Sequence, residues 1–350
     1  MRHFLTTLGL LALSALAGLG AARLGLPLPF LLGPLLMSGA VAILMPDRLP
    51  EGYLFPPNLR LVFIAVIGLM IGAQVTPDLF FGATRLALSL GALTLFAILA
   101  HGLGYAVFRH LGGYDRATAF YSAAPGGLFE SIAFGEEAGA DPARLTLHQF
   151  LRIIVVVTCL PIGLSFWLGG PVGSAGGMTL SKGAVPWSDL PVILLAGAVG
   201  LVLGRLLRLP AKQLIGPLVV AALLGLSGLV HLDIPQWLVN LAQIVVGTAL
   251  GMRFTGLSRG LILRGLGLTL VAVAGMMTLS AGFALLLSGA LDQPVDVMLI
   301  SFAPGGVTEM ALVALSLQAN PAFVTLHHLF RIVITVLGLG LTARFFRPAP

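Results

Sequence analysis

Four charged residues stand within long apolar runs of the chain: Glu130, Glu309, Arg152 and Arg331. Ionisable groups in such surroundings are costly and mark ion pathways, relays or counter-charges. Each glutamate is the third residue after a Gly-Gly pair, in Pro125-Gly126-Gly127 and Pro304-Gly305-Gly306. A half-helix starting there places the carboxylate in its first turn, where the helix dipole favours an anion. Two roles follow for the glutamates: a capping anion, or a proton carrier or counter-charge in a translocation cavity. Each arginine lies 22 residues beyond its glutamate, from 130 to 152 and from 309 to 331. A guanidinium stays protonated and offers a planar fork of donors. Arg152 and Arg331 either pair with Glu130 and Glu309, as a structural or functional ion pair, or bind an anionic substrate.

His148 and His327 precede the arginines by four residues, so each pair shares a helical face. A histidine titrates near neutral pH, and it serves equally well as a hydrogen-bonded partner inside a helix bundle. His328 has no histidine counterpart, because Gln149 holds the matching position. Asp141 and Asn320 precede prolines and read as helix N-caps.

The elements that carry these residues must be membrane helices. The chain is 58% hydrophobic and 9% charged, with a mean hydropathy of +1.04. A soluble domain carries about 25% charged residues. Apolar stretches of about 20 residues match a bilayer span, and in lipid the backbone must bond itself, which selects helices. The short alternating strands of a β-barrel are not found. Net charge is +6. The basic residues lie between apolar segments, so the positive-inside rule accounts for them without a nucleic-acid partner. Cys159, the single cysteine, reads as packing within an apolar run. Residues 1–25 have the look of a signal peptide, but the stretch has a counterpart later in the chain, which favours a first membrane helix.

That counterpart belongs to a repeat. Ala124-Pro125-Gly126-Gly127-Leu128-Phe129-Glu130 returns as Ala303-Pro304-Gly305-Gly306-Val307-Thr308-Glu309, an offset of 179. The same offset relates Asp141-Pro142-Ala143 to Asn320-Pro321-Ala322, Thr146-Leu147-His148 to Thr325-Leu326-His327, and Arg152 to Arg331. It also relates Gly68 to Gly247, Gly72 to Gly251 and Thr76 to Thr255. Near the start the offset is 183, from Leu32-Gly33-Pro34-Leu35 to Ile215-Gly216-Pro217-Leu218. The chain therefore divides into a first membrane repeat, residues 1–168, a Gly/Ser/Pro-rich linker, 169–189, and a second repeat, 190–350. Each half offers six apolar segments. Those of the first lie near 4–22, 28–45, 58–75, 84–108, 117–135 and 145–168. Those of the second lie near 190–207, 213–230, 238–252, 262–289, 296–317 and 322–343.

The fifth segment of each half contains the Pro-Gly-Gly break. If it does not change sides, each half crosses five times and the halves are inverted. With the N-terminus inside, 14 basic residues then face the cytoplasm and three, Arg23, Arg85 and Lys182, face out. If all twelve segments cross, the division is 8 to 9. The 14:3 division obeys the positive-inside rule. The expected fold is thus an all-α integral membrane protein of about ten transmembrane helices, in two inverted-topology repeats, each with a broken or re-entrant segment. Both termini are cytoplasmic.

The duplicated Ala-Pro-Gly-Gly-x-x-Glu, the later Asp/Asn-Pro and the Thr-x-His-x-x-x-Arg element resemble the AbrB-like membrane proteins of Gram-negative bacteria. The resemblance covers almost the whole chain and implies the bacterial inner membrane. It also implies kinship with the cation/proton antiporter and anion transporter superfamily, with inverted repeats and crossing broken helices. Members carry labels as transcriptional regulators or ammonia monooxygenases. No loop here is long enough for a DNA-binding module, and the seven histidines are scattered without metal-ligand spacing. A phosphate-binding loop and a serine elbow are likewise absent from the sequence. The expectation is a cofactor-free, metal-free, non-enzymatic secondary transporter of a small solute, weakly preferring an organic anion and coupled to protons or another ion. Paired broken helices of this kind form transporter sites. The alternative is a membrane-embedded sensor or regulator that affects gene expression indirectly, without transport. The expected partners are membrane lipid and the solute or ion, with no direct nucleic acid, and a homo-oligomer is compatible with either reading.

Overall fold

The structure is a computed structural model that describes residues 2–75, 83–170, 189–209, 211–228, 230, 232–317 and 319–342. Most of the 169–189 linker lies outside these residues, as do Thr76, Lys182, Arg344 and Arg347. Among the described residues there are helices and no strand.

Helices occupy all twelve apolar segments. In the first half they are α1 (Arg2–Arg23), α2 (Pro29–Leu44), α3 (Pro57–Gly72), α4 (Ala83–Ala106), α5 (Arg116–Ser122), α6 (Leu128–Glu137) and α7 (Pro142–Leu168). In the second they are α8 (Leu190–Leu206), α9 (Lys212–Leu226), α10 (Gln236–Gly251), α11 (Arg259–Leu291), α12 (Val295–Phe302), α13 (Val307–Ser316) and α14 (Pro321–Thr342). The fifth segment of each half is two short helices, α5 with α6 and α12 with α13. Among the described residues, six helices are long and apolar enough to cross a membrane, and five apolar ones are shorter, at 10–17 residues.

Local chemistry explains the helix ends near the breaks. Asp115 caps α5 by accepting the Thr118 amide at 2.8 Å. Asp141 accepts the amides of Ala143 and Arg144 at 3.0 and 3.1 Å, just before Pro142. Asn320 accepts the Ala322 amide at 3.0 Å before Pro321. Proline at the first helical position surrenders an amide that had no partner to lose. Cys159, expected as packing, is exposed. It shares an exposed stripe of α7 with Gly163 and Phe166, spaced i, i+4 and i+7 on one face.

The chain forms two compact units. The first contains Met1–Phe81, Leu160–Gly256 and Ala311–Ala322; the second contains Gly82–Cys159, Leu257–Met310 and Phe323–Pro350.

In the first unit, α2 packs on α1 and α10, α3 packs on α9, and α8 packs on α9. Glycines make these approaches close enough for backbone contact. A Cβ on Gly68 or Gly72 would collide with the carbonyl of Leu214 or Leu218. A Cβ on Gly247 or Gly251 would collide with the carbonyl of Leu31 or Leu35. Small residues at such crossings gain dispersion contacts that larger ones forbid.

In the second unit, α11 packs on α4 and α12, and α5 packs on α4 and α6. Phe96, Phe283 and Phe302 meet there, edge-to-face or stacked, with centroids 5.6–5.9 Å apart. Such ring pairs add stability beyond the area they bury.

Candidate functional site at two helix breaks

All twelve residues singled out from the sequence, Pro125, Gly126, Gly127, Glu130, His148, Arg152, Pro304, Gly305, Gly306, Glu309, His327 and Arg331, lie in the second unit. α5 ends at Ser122 and α6 begins at Leu128, with Gly127 at φ +63° as its N-cap. Glycine takes this left-handed conformation without the Cβ clash other residues suffer. α12 ends at Phe302 and α13 begins at Val307.

A break of this kind strands backbone carbonyls that the helix would have satisfied. Buried carbonyls must then find donors elsewhere. α7 and α14 bring them. Arg152, on α7, donates from Nη1 to the carbonyl of Ala124. Arg331, on α14, donates to the carbonyl of Ala303, to that of Gly305 at 2.8 Å, and to that of Phe302 at 3.4 Å. Arg152 and Arg331 are 6% and 1% exposed.

Gln149 and His328 complete the pattern. Gln149 Nε2 donates to the carbonyl of Tyr121 at 2.9 Å. His328 Nε2 donates to the carbonyl of Ile300 at 3.0 Å, and its Nδ1 accepts from Arg331 at 2.9 Å. Residues 121 and 300, 124 and 303, 149 and 328, and 152 and 331 are all separated by 179. The sequence reading set His328 aside as unmatched; here Gln149 and His328 do one job with different side chains. Both offer a nitrogen donor at the same position, which is the signal a comparison of identities passes over.

The ring nitrogens of His148 and His327 are also engaged. His148 bonds the Tyr114 hydroxyl through Nε2 at 2.8 Å and the Thr269 hydroxyl through Nδ1 at 2.7 Å. His327 bonds the Ser89 hydroxyl through Nε2 at 2.6 Å and the Phe323 carbonyl through Nδ1 at 2.8 Å. A carbonyl can only accept, so Nδ1 of His327 carries a proton and Nε2 accepts from Ser89 in the neutral ring.

Glu130 and Glu309 both fall in the first turn of their helices. The carboxylate of Glu309 folds back over Gly306, where a Cβ would collide with Oε2. At the other break the corresponding approach, Glu130 Oε2 to a Cβ on Gly127, is 3.5 Å. The two differ in burial: Glu309 is 6% exposed and Glu130 is open. Among the described residues the two ion pairs join Arg85 to Asp292 at 3.6 Å and Arg144 to Asp141 at 3.1 Å. The guanidinium groups of Arg152 and Arg331 bond carbonyls of the breaks.

Each break also packs on the helix that serves the other. A Cβ on Gly126 would stand 3.3 Å from Thr335 Oγ1 and 3.4 Å from the Arg331 carbonyl, both on α14. One on Gly306 would stand 3.6 Å from Ile153 Cγ2, on α7. A cavity of about 10 Å³ is lined by Ser122, His148, Arg152 and Thr269, room for about one water. Ser122 Oγ and Arg152 Nε, both buried, have no hydrogen-bond partner. A larger, mainly apolar cavity of about 530 Å³ is lined by His101, Phe120, Pro125 and Thr335. Among the described residues no three His, Cys, Asp or Glu side chains gather closely enough to hold a metal ion.

Most of the chain matches a known family. Residues 48–347 match the family described as "Transition state regulatory protein AbrB", and the chain belongs to the AbrB family. Two relatives share its length. The "Putative regulator AbrB" of Escherichia coli (strain K12) is 26% identical over 96% of this chain and 95% of its own. The "Uncharacterized protein YhjN" of Bacillus subtilis (strain 168) is 26% identical over 95% of this chain and 91% of its own.

Proposed function

We propose that the chain is a secondary transporter of a small organic anion in the bacterial inner membrane. In this reading it crosses about ten times as two inverted repeats, with both termini cytoplasmic and the two breaks forming the site. It needs no cofactor, performs no covalent chemistry and binds no nucleic acid. Its partners are the lipid around it, the solute and a coupling ion, with a second copy compatible. One observation carries the proposal: two buried guanidinium groups sit at the breaks, and among the described residues neither forms an ion pair with a carboxylate. A buried charge without a counter-charge is expensive, and an anionic solute between the breaks offsets that cost on binding. The arginines then serve two purposes, holding the broken backbone and attracting the cargo.

The test is uptake of radiolabelled small carboxylates into proteoliposomes under an imposed proton or sodium gradient. Gradient-dependent uptake by the wild type, lost in Arg152→Gln protein that remains folded, supports the reading. Uptake that ignores every gradient sinks the coupling. Glu309→Gln tests the proton-carrier role. A carrier loses the pH dependence of uptake, whereas a capping anion loses stability alone.

A second reading, a ligand-binding membrane regulator, draws support from the printed name of the Escherichia coli relative. It predicts carboxylate binding without flux, and capture of a cytoplasmic partner in place of transport.

A further inference from the structure

The second unit holds another cavity that the transport reading leaves unused. It measures about 530 Å³, and its walls include Tyr114, Arg144, Ser258, Gly260 and Arg264. Ser258 caps α11, a 33-residue helix with no acidic residue in its first turn. The Leu261 amide donates to the Ser258 hydroxyl at 3.3 Å. The start of a helix carries partial positive charge and suits an anion. Here cations gather instead. Arg264 Nη2 reaches back to within 3.9 Å of where a Cβ on Gly260 would stand. Arg144 lies over the Tyr114 ring, its Cζ 4.8 Å from the centroid. Asp141 balances Arg144 at 3.1 Å, while Arg264 forms no ion pair among the described residues. The cavity therefore holds a net positive charge where the helix end adds more of the same sign.

Tyr114 also connects this cavity to the breaks. Its hydroxyl bonds His148 Nε2 at 2.8 Å, and His148 lines the small inner cavity with Arg152 and Ser122. There Arg152 Nε and Ser122 Oγ stand without partners, in residues 6% and 3% exposed. The Tyr114–His148 pair is thus the partition between an outer basic cavity and an inner one with unmet donors.

We propose that the outer cavity is a capture site for a compact oxyanion, a carboxylate or phosphate group held by Arg264, Arg144 and the start of α11, and that the Tyr114–His148 hydrogen bond gates its passage to Arg152. The gate rests on the transport reading; the capture site does not.

Binding is measured by calorimetry on the purified full chain in neutral detergent, with inorganic phosphate and acetate as probes. The lipid arm uses nanodiscs of phosphatidylcholine with and without phosphatidylglycerol. Arg264→Gln is expected to weaken phosphate binding by about tenfold or more, the loss of one charge-assisted contact. Arg152→Gln is expected to leave that binding in place. Phosphate binding abolished by phosphatidylglycerol, in wild type but not in Arg264→Gln, makes a lipid headgroup the natural occupant. Retention in both nanodisc types makes a soluble anion the occupant. Undiminished affinity in Arg264→Gln overturns the capture site. If Arg152→Gln alone removes binding, the capture site fails while the transport site stands. Tyr114→Phe keeps the ring under Arg144 and removes the hydroxyl. With capture intact, it is expected to change the uptake rate at unaltered phosphate affinity, and an unaltered rate overturns the gate.

Discussion

Arg331 donates from Nη2 to the carbonyl of Gly305 at 2.8 Å, and the same nitrogen meets Nδ1 of His328 at 2.9 Å. One side chain of α14 thereby ties down the strand of backbone between α12 and α13. A buried acceptor stripped of its donor costs about 1–3 kcal/mol. Arg331→Ala strips several at once, so a stability loss of about 3 kcal/mol or more is expected. Arg331→Lys recovers only part of it, because an ammonium lacks the planar fork that reaches separate carbonyls. Thermal unfolding of the purified variants checks both, and full recovery by lysine would contradict the clamp.

Gln149 and His328 are expected to be exchangeable in one direction. Gln149→His keeps a nitrogen donor for the Tyr121 carbonyl, whereas Gln149→Leu removes it. The leucine variant loses about 1–3 kcal/mol, and the histidine variant stays within about 1 kcal/mol of wild type. Equal losses in the two would refute the shared role.

The cap of α5 makes stability depend on pH. Burial alone would raise the Asp115 carboxyl, but the hydrogen bonds from Thr118, with those from the Ala117 and Asp115 backbone, outweigh it and hold the carboxyl below its ordinary value. An unfolded aspartate titrates near about 3.9. With the folded value lower, the unfolded chain takes up the proton first. The contribution is therefore full above the unfolded value and disappears as pH falls through the folded one. Asp115→Asn keeps the cap acceptor and removes this titration. Wild-type stability should fall more steeply than that of the asparagine variant below about pH 4. Parallel acid limbs would exclude the effect.

Packing in the first unit is equally exposed to test. Gly68→Ala drives a methyl into the Leu214 carbonyl, and overpacking of this kind costs about 1–3 kcal/mol. Gly9→Ala, on α1 with open space around it, should leave stability unchanged or slightly raised, since alanine is the better helix former. A comparison of denaturation midpoints distinguishes them, and equal midpoints would mean that the α3–α9 approach is not close.

Much of this was legible in the residues. Apolar runs fixed where helices form, because neither lipid nor a helix core tolerates unpaired backbone. Pro-Gly-Gly located both breaks, since proline lacks an amide and glycine accepts the turn. The 179-residue offset identified Arg152 with Arg331 and Gly68 with Gly247 as matched positions. Asp141 and Asn320 were readable as caps from the proline that follows each.

Other relationships depended on distance in space. The 22-residue spacing suggested that each arginine either pairs with its glutamate or binds an anion; the helices also bring the guanidinium groups to the carbonyls of the breaks. A carbonyl is invisible in a one-letter code, because every residue carries one, and only a tertiary arrangement shows which are left without a donor. The same reason hid Gln149 behind His328, and left Tyr114 unremarked until the fold set its hydroxyl on His148. The sequence alone determined which residues recur and where the backbone must break. Tertiary structure decided what the recurring side chains hold, because hydrogen bonds form between neighbours in space, and α7 and α14 become neighbours of the breaks only when the chain folds.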